Sequence, residues 1–255
     1  VADFAAYFRY VKSSFDRLLA SQTHIESYPE PKEQCDICRW NAECDQRRRA
    51  DDHLCLVANI SKLQMNELKQ RSITTVAELA GLPIPIPWKP ERGSVEAYAK
   101  VREQARVQVA GRNSGSCKFE LIPLQEGYGL YCLPEPSIGD IFFDIEGDPF
   151  VGETGMEYLF GYQYKDKKNN ITHVAEWAFS FEEEKQIFER FIDFVMKQWK
   201  IYPELHIYHY AAYEPSALKR LMGKYASREE EVDQMLRAGL FVDLYRIVCN
   251  SIRAS

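Results

Sequence analysis

The sequence predicts an α/β protein in which a mixed β-sheet carries flanking helices, preceded by a small helical segment that contains cysteines. Three observations lead there. From Cys117 onward apolar residues recur with a period of two in "KFELIPL", "GDIFFDIEG", "EYLFGYQY" and "ITHVAEWAFS", the alternation of half-buried strands. A helical repeat, a short strand and another helix follow, and the order β-β-β-α-β-α builds a mixed sheet with helices packed on it. Before Cys117 the readable periodicity is helical.

Each element has its own signal. The opening "VADFAAYFRYVKSSFDRLLA" places Phe4, Tyr7, Phe8, Val11, Phe15, Leu18 and Leu19 at helical spacing, with Arg9, Lys12 and Arg17 on the other face. "ISKLQMNELKQRSITTVAELAGLP" gives two short helices around a turn at Ser72, the second capped by Thr74 or Thr75 and closed by Gly81 and Pro83. "IPIPWKPERGS" cannot continue a helix and is expected to be the main linker. A third helix spans about Val95 to Val109. "DKKNN" supplies turn chemistry for a hairpin between the strands ending "GYQY" and beginning "ITHV". Ser180 and Glu183 form a capping box before a helix with Ile187, Phe188, Phe191 and Val195 on one face. "LHIYHY" is a further strand, and Pro215 opens a helix through about Met222. The expected domains are residues 1–58, a helical hairpin and linker at 59–90, and a sheet domain at 91–255.

Composition narrows the class. With 45% hydrophobic and 27% charged residues the chain reads as an ordinary globular protein. Its formal charge of −6 gives no overall attraction for nucleic acid, so such binding would rest on a local basic patch. No apolar run approaches the roughly eighteen residues of a membrane span, and the N-terminus lacks a secretory pattern, so a cytoplasmic location is expected. The chain starts at Val1 and stops after "NSIRAS", and reads as part of a longer protein.

Two constellations carry chemistry. Asp144 and Glu146 in "GDIFFDIEGDPF" are two residues apart on a strand and point to the same face, at a strand end marked by Gly147 and Pro149. Two carboxylates this close repel unless a proton or a cation lies between them, and Mg²⁺ or Mn²⁺ takes such oxygen ligands. A half-buried strand with an acidic outer face has the same spacing. Glu214 sits between a strand and the first turn of a helix, where it also complements the helix dipole, and Asp243 in "FVDLYRIV" reads as an N-cap. Taken in order, "FFDIEGDP", a hairpin, "SFEEEKQIFERFIDFV", "YHYAAYEPSALKRL" and "FVDLYRIV" resemble the ribonuclease-H-like 3′–5′ exonuclease superfamily called DEDD, in its YprB-like branch, over about Cys117 to Ser255. The resemblance implies a ribonuclease-H-like fold and two-metal hydrolysis of a phosphodiester in Mg²⁺ or Mn²⁺, with Asp144, Glu146 and Glu214 as catalytic metal ligands. Glu214 stands where that family usually has Asp, and the third motif would lie beyond Ser255. A binding or scaffolding module on the same fold, without chemistry, is the alternative.

The second constellation is "EQCDICRWNAECDQRRRADDHLC". Cys35, Cys38 and Cys44 form C-x₂-C-x₅-C, with Cys55 eleven residues on, a spacing suited to Zn²⁺ or a [4Fe–4S] cluster. Reduced cysteines packed as small hydrophobes are the other reading. The segment resembles the C-terminal end of RecB-type PD-(D/E)xK nucleases that carry an iron–sulfur staple, over about Val1 to Val57. Arg47, Arg48 and Arg49 beside it are candidate phosphate contacts, and "LKQRSITTVAELAGL" resembles a helix-hairpin-helix element with Ser72 in place of the usual glycine. Together the resemblances imply a DNA-processing protein, with DNA as partner and a helicase domain on the same full-length chain.

Overall fold

In the computed structural model, which describes residues 4–21 and 28–255, the chain divides into two units, Val1–Gly115 and Ser116–Ser255. The expected segment 1–58 therefore lies partly outside the described residues. Among the described residues no helix is long and apolar enough to cross a membrane.

The first unit is helical. Helix α1 (Ala5–Ala20) has the amphipathic spacing read from the sequence, yet none of its side chains is buried, and Tyr7, Phe8 and Phe15 are largely exposed. Helix α2 (Asn41–Ala50) follows the cysteine-containing turn at Glu33–Ile37. Helices α3 (Lys62–Gln70) and α4 (Val76–Ala80) each begin with a reciprocal capping box, Ser61 with Gln64 and Thr75 with Glu78. Ser72 between them has φ of 62°, the left-handed conformation for which a hairpin glycine is usual. Helix α5 (Val95–Ser114) is capped by Ser94 and closed by Gly115 at φ 64°. It outruns the expected end near Val109 because nothing in "AGRNS" stops a helix before that glycine.

The division between units does not follow the expected linker. Ile86 is buried among Leu54, Leu68, Leu79, Tyr98 and Val101, and Trp88 packs on this core. Tyr98, Val101 and Ala105 bring α5 into the same core, so the break falls after α5, at Gly115 and Ser116. Proline excluded helix from this stretch but did not keep its apolar side chains out of the core.

The second unit is built on a five-stranded sheet. Strand β1 (Phe119–Leu121) precedes β2 (Ile141–Asp148), β3 (Met156–Lys165) and β4 (Ile171–Trp177). Helix α6 (Phe181–Ile201) leads to β5 (Ile207–His209), α7 (Tyr213–Tyr225), α8 (Glu229–Arg237), β6 (Phe241–Asp243), α9 (Leu244–Ser251) and β7 (Ile252–Ala254). The sheet order is β4-β3-β2-β5-β6, antiparallel through β4, β3 and β2 and parallel from β2 through β5 to β6. This is the mixed sheet expected. Strand β1 is not part of it: it pairs with β7 as a separate two-stranded ribbon, since alternation specifies a face and not a partner. Helix α8 has no counterpart in the sequence reading.

The core lies on one face of the sheet. Ile141, Phe143 and Ile145 of β2 are buried there, with Phe160 of β3, Ile187, Phe188, Phe191 and Val195 of α6, and Leu218 of α7. Phe143 and Phe191 stack at 3.9 Å between ring centroids. The alternate residues of β2, Phe142, Asp144 and Glu146, are exposed on the opposite face. Ser180 caps α6 by accepting from the Glu183 amide at 3.2 Å, whereas the Glu183 carboxylate accepts from Phe179 rather than from Ser180.

Candidate active site

Strands β2, β5 and β6 run parallel, and their C-terminal ends deliver side chains to one rim. Asp144 and Glu146 come from β2, His209 ends β5, and Asp243 ends β6 in register with His209. Just beyond Glu146 the ladder with β3 shifts register, so Gly147 lies opposite Glu157. That bulge aims the end of the acidic strand.

Glu214 enters from the first turn of α7 and is only 2% exposed. Burial of a carboxylate is costly unless it is paired, yet its Oε2 has no hydrogen-bond partner. His209 Nδ1 lies 3.3 Å from that oxygen, but the same nitrogen is 2.6 Å from the Ala211 carbonyl. A carbonyl only accepts, so the Nδ1 proton is committed to Ala211 and Glu214 Oε2 is left orphaned. The Asp144 carboxyl is held above the usual range by burial, then by the charges of Glu214 and Glu146. Glu214 and Glu146 thus each act electrostatically on Asp144.

The turn that delivers Glu214 is held from two strands. Ala211 has φ of 71°, a left-handed conformation that costs a non-glycine residue about 1–2 kcal/mol. His209 takes its carbonyl, and Asp243 Oδ1 accepts its amide at 3.1 Å while also capping α9 through Arg246 N at 3.1 Å. Asp243 is the N-cap expected. His209 was not singled out from sequence, although its place at a strand end five residues before Glu214 was the available signal.

On the open face beside Asp144 lies a cleft of about 660 Å³, lined by Phe142, Gly161, Gln163, His173, Tyr208 and Tyr210 among others. Phe142 stacks on Tyr208 at 5.1 Å, and Tyr210 meets Tyr245 edge-on at 5.3 Å.

The fold of the second unit is that of a known class. Residues 141–255 match the family model of the RNase_H superfamily. No curated protein and no solved structure matches the chain. The ribonuclease-H-like domain so defined contains Asp144, Glu146 and Glu214 on its sheet rim.

Nucleases of this fold class work with divalent metals, and the donor set fits one. Three carboxylates supply hard oxygen ligands, Glu214 Oε2 lacks a partner, and burial together with the charges of Glu214 and Glu146 disfavours the ionised Asp144 that a cation would stabilise. Among the described residues, however, no group of three or more His, Cys, Asp or Glu side chains is already arranged to hold an ion. Mg²⁺ characteristically binds through one or two carboxylates and keeps several waters, so pairwise proximity of these acids is compatible with its chemistry.

Cys35, in the Glu33–Ile37 turn, accepts a hydrogen bond from Lys32 N at 3.3 Å. Cys38 follows that turn and is exposed, Cys44 lies in the first turn of α2, and burial pushes the Cys55 thiol up in pKa. None of them belongs to a three-ligand group among the described residues.

The expected phosphate contacts also divide. Arg48 is buried, bonding Pro29 O at 3.3 Å and Asn41 Oδ1 at 3.2 Å, and so serves the packing of its own unit. Arg49 pairs with Asp45 at 2.6 Å, and Arg47 lies over the Tyr28 ring at 5.4 Å. Both remain exposed. At the Ser72 hairpin the amides of Thr74 and Thr75 donate to Glu78 Oε2 at 2.7 and 3.0 Å. A carboxylate thus occupies the amides that a phosphate would need.

Proposed function

We propose that the chain is a metal-dependent nuclease that hydrolyses phosphodiester bonds, acting on DNA as a 3′–5′ exonuclease. The observation that carries the reading is the grouping of Asp144, Glu146 and the buried, orphaned Glu214 at the rim of a ribonuclease-H-like sheet. Asp144, Glu146 and Glu214 would hold Mg²⁺ or Mn²⁺, which supplies charge neutralisation and an acidified water when bound. Asp144 and Glu146, on a strand held by its pairing with β3, orient their carboxylates toward solvent, where a phosphodiester can approach. Glu214 stays out of water and keeps one oxygen free of protein hydrogen bonds, ready to accept a ligand bond. Phe142 and Tyr208 give the neighbouring cleft a stacked aromatic wall.

A second reading, a nucleic-acid-binding or scaffolding module without chemistry, is favoured by the lack of an already arranged three-ligand group among the described residues. One assay separates the two. With 5′-labelled single-stranded DNA, duplex DNA and RNA in Mn²⁺, the nuclease reading expects products shortened stepwise from the 3′ end. Asp144→Ala should slow this by at least about 100-fold, the upper end of what even second-shell losses cost a metal site. Binding of these nucleic acids without shortening establishes the module instead.

A further inference from the structure

Helix α7 carries Glu214 but begins without a side-chain cap, its N-cap position being Ala212. Its register is fixed from elsewhere. The Tyr213 hydroxyl, one residue before Glu214, donates to Glu157 Oε2 at 2.9 Å. Glu157 is 3% exposed and lies on β3 opposite Gly147, immediately after the bulge that follows Glu146. Arg220 pairs with the other oxygen of Glu157. The backbone amide of Glu157 donates to Glu184 Oε1 at 2.6 Å, and Glu184 in turn accepts from Lys224 at 2.6 Å and from Tyr225. Tyr213, Arg220 and Lys224 recur at seven and four residues, so one face of α7 meets both buried carboxylates. The close approach also accounts for Gly147, where a Cβ would lie 2.6 Å from Tyr213 Oη and nearer still to the Glu157 carboxylate.

We propose that Tyr213 and Glu157 are positioning residues: their hydrogen bond locks the first turn of α7 to β3 beside the bulge that ends the acidic strand, and so sets the separation of Glu214 from Asp144 and Glu146. This rests on the metal-dependent nuclease reading of that site. Tyr225 is the internal control. It makes the same phenol-to-carboxylate bond within the same network but lies at the far end of the helix from Glu214.

The test is Mn²⁺ affinity, measured by electron paramagnetic resonance, for wild type, Tyr213→Phe, Tyr225→Phe and Gly147→Ala, with unfolding midpoints and crystal structures of wild type and Tyr213→Phe. Tyr213→Phe and Gly147→Ala should each weaken Mn²⁺ binding about tenfold, the scale of a lost second-shell contact. Tyr225→Phe should lose comparable stability and keep the wild-type affinity, and Glu214 should be displaced from Asp144 in the Tyr213→Phe crystal. Wild-type affinity in Tyr213→Phe, or equal weakening by both tyrosine variants, overturns the proposal. If wild type itself fails to bind Mn²⁺ the nuclease reading falls, and the crystals still decide the clamp: a displaced Glu214 supports it and an unmoved one overturns it.

Discussion

At the scale of single residues, Asp144 records the site's tension. Its folded pKa is raised by burial and by Glu214 and Glu146, so folding shifts it toward its protonated form relative to the unfolded chain. Stability is therefore undiminished below the ordinary aspartate value and is lost as pH rises through the raised folded value. Asp144→Asn removes the charge and should raise the unfolding midpoint in chelator at pH 7, by ~2 °C given how much solvent screens this exposed group. The gain should vanish below pH ~3.9, where aspartate is protonated in the unfolded chain too. A lower midpoint at pH 7, read by calorimetry, contradicts this account. The sequence made the Asp144 and Glu146 pair visible because strand periodicity fixes a shared face. It could not distinguish Arg48 from Arg47 and Arg49, because adjacent helical positions point about 100° apart and only the fold decides which direction is inward. Nor could it show that Glu214 is orphaned, since that depends on where the His209 proton is committed.

At the scale of elements, the sheet rim is only as firm as the helix beneath it. Phe191 of α6 is fully buried and touches Phe143, Phe160 and Tyr162. Phe191→Ala should cost about 3–5 kcal/mol in urea unfolding, whereas Ser180→Ala should cost ~1 kcal/mol through its lost cap. Similar costs for the two would mean that α6 is not the support it is described to be. Elements with strong cap chemistry were legible: Thr75, Ser180 and Asp243 all cap the helices they precede. Helix α8 was not, because its N-cap is Arg228 in a left-handed conformation with no side-chain capping bond and only Val232 and Met235 are buried. Strand β1 was readable as a strand but not as half of a ribbon with β7, a pairing between distant segments that local alternation does not encode.

At the scale of the whole molecule, the two units have separate cores, one around Leu54, Leu68 and Tyr98 and the other around Phe143, Phe160 and Phe191. Residues 116–255 should then fold alone, with one cooperative urea transition and a slope in the ~1–3 kcal/mol/M range of small domains. A broad, non-cooperative loss of signal by circular dichroism would show that this unit depends on the first. The mixed sheet and the region of the acids were legible from periodicity and motif order. The boundary between units was not, because buried apolar side chains such as Ile86 decide it and the prolines around them mask that burial.

The central claim is that Asp144, Glu146 and Glu214 form one site for a divalent cation, and its most direct test is Mn²⁺ titration of wild type and Glu214→Gln. Glutamine keeps the size of the side chain and removes its charge. The account predicts saturable binding by wild type and affinity lower by tenfold or more in Glu214→Gln, on the order of 1.4 kcal/mol. Equal affinity in the two proteins, or no binding by either, contradicts it.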